Sequence, residues 1–108
     1  MCQTLRSLGF EWIRMGYYWY WIDADVQGEL AWIDQEIRAA RDAGLKVIFW
    51  LNMNPGWPDV HWGAIPDWID HQNVSQVAYE FRRFCLSISS RYRGSVSIWN
   101  LGGEVNDI

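Results

Sequence analysis

A single glutamate near the end of the chain has the sequence setting of a reactive carboxyl group. Glu104 follows a short apolar segment, residues 96–101 (VSIWNL), and two glycines. A carboxyl group at the end of a buried strand can donate and accept a proton, because apolar surroundings raise its pKa. The alternative is an ordinary loop or helix-capping glutamate. The residues alone leave both interpretations open.

A second charged side chain lies near the end of another apolar segment. Residues 10–15 (FEWIRM) predict a short buried strand that ends at Gly16, and Arg14 lies close to its carboxyl end. This position makes Arg14 a candidate site residue. From the local sequence alone, a surface arginine paired with a carboxylate is the slightly favoured interpretation.

The chain is rich in aromatic residues, with nine Trp, five Tyr and four Phe. Flat aromatic rings near loops suit a sugar-binding cleft, since they stack on the apolar C–H faces of pyranose rings. Residues 17–25 (YYWYWIDAD) predict an aromatic loop with some rings exposed, and Trp19 is its candidate for ligand binding. The alternative is a loop folded under its own rings.

A long loop is predicted over residues 52–73, which contain three prolines and several tryptophans, among them Trp57. Loops of this length inside a domain are usually functional, so Trp57 is a second candidate for ligand binding. His61 and His71 lie in the same loop without a metal-binding motif. Solvated or capping histidines are the better interpretation, and the sequence predicts no metal and no cofactor.

Charge and hydropathy exclude two classes of partner. The formal net charge of −4 gives no basic footprint for nucleic acid, and no Lys/Arg cluster suits a membrane surface. No apolar segment approaches the roughly 20 residues that a membrane-spanning helix requires.

The elements that must position these residues alternate between helix and strand. A helix end over residues 2–8 leads to the strand at 10–15. A helix at 30–43, a strand at 45–51, a helix at 74–91 and a strand at 96–101 follow. This alternation predicts an α/β fold with a parallel sheet. Because the carboxyl ends of parallel strands share one rim, Arg14, residues 52–54 and Glu104 should converge there.

In the order of its motifs the chain resembles the clan A glycoside hydrolases, which are (β/α)8 barrels and include families 5, 39 and 42. Each motif is short, and together they extend over most of the chain. They are residues 8–14 (LGFEWIR), 32–34 (WID), 43–48 (AGLKVI), 54–58 (NPGWP), 81–84 (FRRF), 91–96 (RYRGSV) and 99–106 (WNLGGEVN).

The resemblance implies roles for several residues. Glu104 matches the general acid/base, and Arg14 matches the arginine of the second barrel strand that hydrogen-bonds near the nucleophile. Two positions depart from the motif W-x-x-x-N-E-P-N. Gly103 stands where an asparagine contacts the sugar 2-hydroxyl, and Val105 replaces a proline.

The remaining candidate binding residues complete the predicted site. Asn100 and Asn106 are candidates for the contact that the missing asparagine makes. Trp19 and Trp57 are the candidate sugar platforms. The resemblance therefore predicts a glycosidase that hydrolyses O-glycosidic bonds in carbohydrate.

The chain length suggests only part of such a barrel. A (β/α)8 barrel takes about 250 residues, with a lower limit near 200, whereas this chain has 108. We expect residues 1–108 to form a single incomplete domain, about β2-α2-β3-α3-β4 of a TIM barrel, partnered by the remaining strands. The nucleophile comes from the seventh strand, so the isolated chain should be inactive.

Two other interpretations stay open. The chain could be a non-catalytic carbohydrate-binding relative of the same barrel, an alternative that Gly103 supports. It could also be an unrelated parallel α/β protein whose tryptophans are mostly core.

Overall fold

The computed structural model describes residues 1–52 and 65–102 of the chain. Helices and strands alternate along these residues. In order they are α1 (Cys2–Ser7), β1 (Trp12–Tyr18), α2 (Trp19–Ala24), α3 (Val26–Asp42), β2 (Lys46–Asn52), α4 (Val74–Arg91) and β3 (Ile98–Leu101).

The three described strands form one parallel sheet in the order β1-β2-β3. Met15 of β1 lies beside Phe49 of β2, which in turn lies beside Trp99 of β3. The predicted α/β class and the parallel strands that alternate with helices are confirmed.

Helices α3 and α4 contribute to the core on one face of this sheet. Each begins at a side chain that caps the helix. The Asp25 carboxylate accepts a hydrogen bond from the Gly28 N–H at 3.1 Å, and the Asn73 side chain accepts one from the Gln76 N–H at 3.1 Å. Both caps satisfy amide groups that have no partner within the helix.

Phe49 is fully buried at the centre of the core. Its ring centroid lies 4.8 Å from that of Tyr17, 4.9 Å from that of Trp99 and 5.8 Å from that of Tyr92. These rings come from two strands that flank β2 and from the end of α4. Strand β2 is therefore held from both sides by aromatic packing.

Two polar clusters join the helices to the rest of the core. Arg91 of α4 donates two hydrogen bonds to the Asp34 carboxylate of α3, at 2.6 and 3.2 Å, and the Tyr92 hydroxyl donates a third at 2.7 Å. The Arg91 guanidinium, together with the Tyr92 hydroxyl, lowers the pKa of Asp34. Separately, the buried Tyr17 hydroxyl donates to Glu36 of α3.

Burial, and then the bond to Glu36, raises the pKa of Tyr17 well above its ordinary value. Both effects favour the protonated hydroxyl, which is the form that donates this hydrogen bond. Strand β1 is held to α3 by this bond.

The predicted end of the first strand is wrong. Residues 10–15 predict a strand that stops at Gly16, but β1 continues through Gly16 to Tyr18. The glycine has a packing reason, because a Cβ atom at this position would lie 2.8 Å from Cε3 of Trp50. Gly16 leaves room for a neighbouring ring and does not end the strand.

The predicted aromatic loop over residues 17–25 is also wrong. Tyr17 and Tyr18 complete β1, and residues Trp19–Ala24 form α2. The helix places Trp19 and Ile22 inside the protein, each 2% exposed, and leaves Trp21 45% exposed. A helix separates the rings onto different sides, which a run of adjacent aromatics in the sequence does not reveal.

The remaining boundaries follow the predictions closely. The helix predicted at residues 74–91 is confirmed as α4, and the helix predicted at 30–43 begins earlier, at Val26. The strands predicted at 45–51 and 96–101 are confirmed as Lys46–Asn52 and Ile98–Leu101. None of the helices in the described part of the chain is long and apolar enough to span a membrane.

Candidate functional site

The side chains of the sheet divide into two sets because successive residues of a strand point to opposite faces. One set packs under the helices and includes Met15, Val47, Phe49 and Leu51. The other set lies on what we call the open face, and none of its side chains belongs to a core cluster of the described residues. The register places ten residues on the open face: Trp12, Arg14, Gly16, Tyr18, Lys46, Ile48, Trp50, Asn52, Ile98 and Asn100.

Trp50 lies at the centre of the open face. Its neighbours in register are Gly16 on β1 and Asn100 on β3. The indole N–H donates to the carbonyl oxygen of Gly102 at 2.8 Å, and the six-membered part of the ring lies over Gly16. The ring therefore reaches from β1 to the residue that follows β3.

Arg14 stacks on Trp50, with its guanidinium carbon 4.9 Å from the ring centroid. Within residues 1–52 and 65–102 it forms no ion pair with a carboxylate. The surface ion pair that the sequence analysis offered as an alternative is thus not found in this part of the chain. A stacked guanidinium keeps its N–H donors in the plane of the group, where a ligand can accept them.

The carboxyl ends of the strands carry further polar and aromatic groups. Tyr18 lies 6.3 Å from Trp50 between ring centroids, and its register partner on β2 is Asn52, whose amide side chain is buried. Gly102 N–H donates to the Leu51 carbonyl at 2.8 Å, so the backbone after β3 stays bound to the sheet.

The structure brings two of the predicted site residues onto the same face. Arg14 and Asn100 both lie on the open face, one on each outer strand of the described sheet. They are offset by two residues in register. Strand spacing and rise place their Cα atoms about 11 to 12 Å apart. Trp50 occupies the position between them.

The third described candidate, Trp19, lies on the helix side. Its ring packs 5.3 Å from that of Phe81 and 5.7 Å from that of Phe84, in a cluster with Ile69 and Val77. In this position the ring offers no face to a ligand. The candidates Glu104, Trp57 and Asn106, and the departure at Gly103, lie outside the described residues.

Sequence reasoning missed Trp50, which lies in an apolar segment and was interpreted as core. A signal was present in that segment. Lys46 and Asn52 bracket it, and both lie an even number of residues from Trp50, four before it and two after it. Two polar residues in phase with a tryptophan indicate that this ring shares a face with polar side chains.

One cavity in the described residues adjoins this arrangement, since Arg14 and Gly16 form part of its wall. It has a volume of about 500 Å³ and lies between the outer edge of β1 and the helices α1 and α3. Its wall includes Glu29, Trp32 and Glu36 of α3. Over the same residues no group of three His, Cys, Asp or Glu side chains could hold a metal ion.

The open face combines groups that suit a polyhydroxylated ligand. Trp50 and Tyr18 provide apolar ring surface, Arg14 provides N–H donors, and Asn100 provides both a donor and an acceptor. An aromatic surface with a few polar groups is the usual composition of a small-molecule site. No protein-family model matches the chain, and no curated protein or solved structure is significantly similar to it.

Proposed function

We propose that this chain is part of a retaining glycoside hydrolase, and that its sheet is a section of a (β/α)8 barrel whose interior is the open face. The observation that carries the proposal is the shared face of Arg14, Trp50 and Asn100. Two of these residues, Arg14 and Asn100, are among the substrate-binding candidates predicted from the sequence. In a barrel of parallel strands the helices cover the outside, as α3 and α4 cover one face here.

The backbone after β3 supports the same proposal. Gly102 is bound to Leu51 through its N–H and to Trp50 through its carbonyl oxygen. Glu104 follows two residues later in the sequence. Carboxyl ends of parallel strands are where such folds carry their chemistry, and this strand end leads directly to the proposed acid/base.

In the proposed reaction Glu104 first donates a proton to the leaving glycosidic oxygen and later accepts one from water. A second carboxylate, roughly 5–5.5 Å away, attacks the anomeric carbon and forms the covalent intermediate. We propose that this nucleophile is supplied by another part of the barrel. Arg14 orients it, and Asn100 contacts a hydroxyl group of the sugar.

The experiment that tests this proposal is a turnover assay on the chain in its natural reading frame, with whatever sequence flanks it in the gene. Aryl glycosides of several sugars are the probes, and Glu104→Gln is the diagnostic variant. We expect turnover in the parent and a loss of about 100-fold or more in the variant, which is typical of general acid–base catalysis. Absence of turnover from the parent, or equal turnover from the variant, would contradict the proposal.

The 108-residue chain alone provides a second arm. We expect no turnover from it, because the nucleophile is missing. Turnover by this chain that Glu104→Gln abolishes would show that the catalytic set is already complete.

A non-catalytic carbohydrate-binding protein is the second candidate function, and Gly103 is the observation that favours it. Loss of the asparagine removes a sugar contact that strengthens in the transition state. This candidate predicts oligosaccharide binding without turnover in the complete protein. In that case Glu104→Gln would leave the dissociation constant nearly unchanged.

A further inference from the structure

Trp50 contacts two parts of the proposed site that are remote from each other in sequence. One is the Arg14 guanidinium, whose central carbon lies 4.9 Å from the ring centroid. The other is the carbonyl oxygen of Gly102, which accepts the indole N–H at 2.8 Å. A single rigid side chain thus links a strand-borne arginine to the backbone that leads to Glu104.

The backbone of Gly16 limits the position of the Trp50 ring. Built onto Gly16, a Cβ atom would come within 2.8 Å of Cε3 and 3.4 Å of Cζ3 of the indole. The ring therefore lies close to the β1 backbone, at a distance that only glycine permits. With its edge bonded to Gly102 as well, the indole has little freedom to rotate.

We propose that Trp50 is a positioning residue of the glycosidase site, a role that rests on the proposed function. The ring face holds Arg14, and the N–H group holds the Gly102 carbonyl. Trp50 thereby sets the separation between the arginine that orients the nucleophile and the Gly102 backbone, two residues before Glu104 in the sequence. Catalysis is sensitive to this separation, because a misplacement of about 1 Å can lower a rate about 100-fold.

The two functions of the indole can be separated by substitution. Trp50→Phe keeps an aromatic face for Arg14 but removes the N–H donor, and Trp50→Leu removes both. Gly16→Ala leaves Trp50 intact but displaces its ring. Trp68→Phe is the matched control, since the Trp68 indole donates a similar bond at 2.9 Å to Asp23, away from the open face.

The first test is an NMR measurement on the 108-residue chain, which requires no activity. In the parent protein we expect ring-current shifts at the Arg14 side chain and slow exchange of the Gly102 amide proton. Trp50→Phe removes the hydrogen bond to the Gly102 carbonyl, which helps to hold this residue on the sheet. The Gly102 amide should then exchange about five- to tenfold faster, as expected for loss of one neutral hydrogen bond. Arg14 should keep a ring-current shift in Trp50→Phe and lose it in Trp50→Leu.

The second test is steady-state kinetics in the turnover-competent protein. We expect Trp50→Phe and Gly16→Ala to lower kcat about 10- to 100-fold while KM changes less than about threefold. Trp68→Phe should leave both constants unchanged. A role in folding alone would lower the fraction of active enzyme in proportion to the unfolded population, which circular dichroism measures in parallel.

The outcomes separate this inference from the proposed function. Normal kcat in a folded Trp50→Phe variant overturns the positioning role and leaves the glycosidase standing. If the Arg14 ring-current shifts are the same in the parent and in Trp50→Leu, the stacking of Arg14 on Trp50 is disproved. If Trp50→Leu does not fold, the same comparison is made with Gly16→Ala. If the parent shows no turnover, the catalytic role falls with the proposed function, while the NMR data still decide whether Trp50 holds both groups.

Discussion

The two faces of the sheet differ in what their side chains do. The covered face consists of apolar residues that the helices bury, with Phe49 fully enclosed. The open face alternates aromatic, charged and amide side chains, and several are well exposed. Alternate residues of each strand therefore differ in role. Those on the covered face stabilise the core, and those on the open face are available to bind a ligand.

This difference has a physical origin in the alternation of the strand. Burying apolar surface stabilises the fold in proportion to the area removed from water. Within the described residues the open face buries less apolar surface than the covered face, so its side chains contribute less to the stability of this part of the chain. The predictions below use matched substitutions on the two sides of the sheet to test how complete this separation is.

The largest effect is expected at the centre of the covered face. Phe49→Ala should lower the free energy of unfolding by about 4 kcal/mol, because it leaves a cavity among three aromatic neighbours. Ile98→Ala on the open face, where Ile98 is 47% exposed, should cost less than about 1 kcal/mol. Urea denaturation of both variants is the measurement, and equal losses would refute the division between the faces.

The next effect concerns the two tryptophans of α2. Trp19→Leu should destabilise the protein by about 2–3 kcal/mol, since the ring packs on Phe81 and Phe84. Trp21→Leu should change the free energy of unfolding by less than about 0.5 kcal/mol, because Trp21 is largely exposed. If Trp19→Leu instead left stability intact and abolished sugar binding, Trp19 would regain its predicted role as a sugar platform.

A smaller effect, with a defined pH dependence, is expected at Asp34. The Arg91 guanidinium lowers the pKa of this carboxyl in the folded protein from its ordinary 3.8. Its stabilisation is therefore complete above that value and is lost as pH falls through the lower, folded pKa. Asp34→Asn should cost about 1 kcal/mol at neutral pH, since the pair is partly exposed.

Urea denaturation of Asp34→Asn and the parent, at neutral pH and near the acid limit of folding, measures this difference. The gap between them should narrow as the pH falls. Asp42→Asn, on the same helix but exposed, is the control and should show no loss. If the difference in free energy of unfolding between the two proteins grew as the pH fell, the Asp34 carboxyl would stabilise the fold in its protonated form.

The smallest effect on stability is expected at Arg14. Arg14→Met should change the free energy of unfolding by about 0.5 kcal/mol, the value of an exposed cation–π contact. If Arg14 belongs to the proposed sugar site, the same substitution should weaken oligosaccharide binding at least about tenfold, because a hydrogen-bonding group is lost. Calorimetric titration with oligosaccharides decides between this outcome and an arginine that serves only the sheet.

The fold was largely predictable from local patterns. Helix α4 has apolar residues at helical spacing, an asparagine cap at Asn73 and a terminal Arg91, and its predicted bounds are confirmed. Strand β2 is an apolar segment of strand length that begins soon after Gly44 and ends at the polar residue Asn52. Both elements can therefore be predicted from their own residues.

The errors arose where remote contacts determine the structure. Trp19 is buried by Phe81 and Phe84, more than 60 positions away, and nothing near Trp19 encodes that contact. Gly16 was interpreted as the end of a strand, although its reason is the ring of Trp50. Likewise, Arg14 and Asn100 were predicted as separate candidates, and only the register between strands places them on one face.

The close approach of Trp50 to Gly16 also has an evolutionary consequence. A larger residue at position 16 demands a smaller one at position 50, and a smaller residue at 50 removes the reason for glycine at 16. Single substitutions at either position are then deleterious, whereas the paired change is tolerated. In related proteins that diverge from this one, residues 16 and 50 should therefore change together.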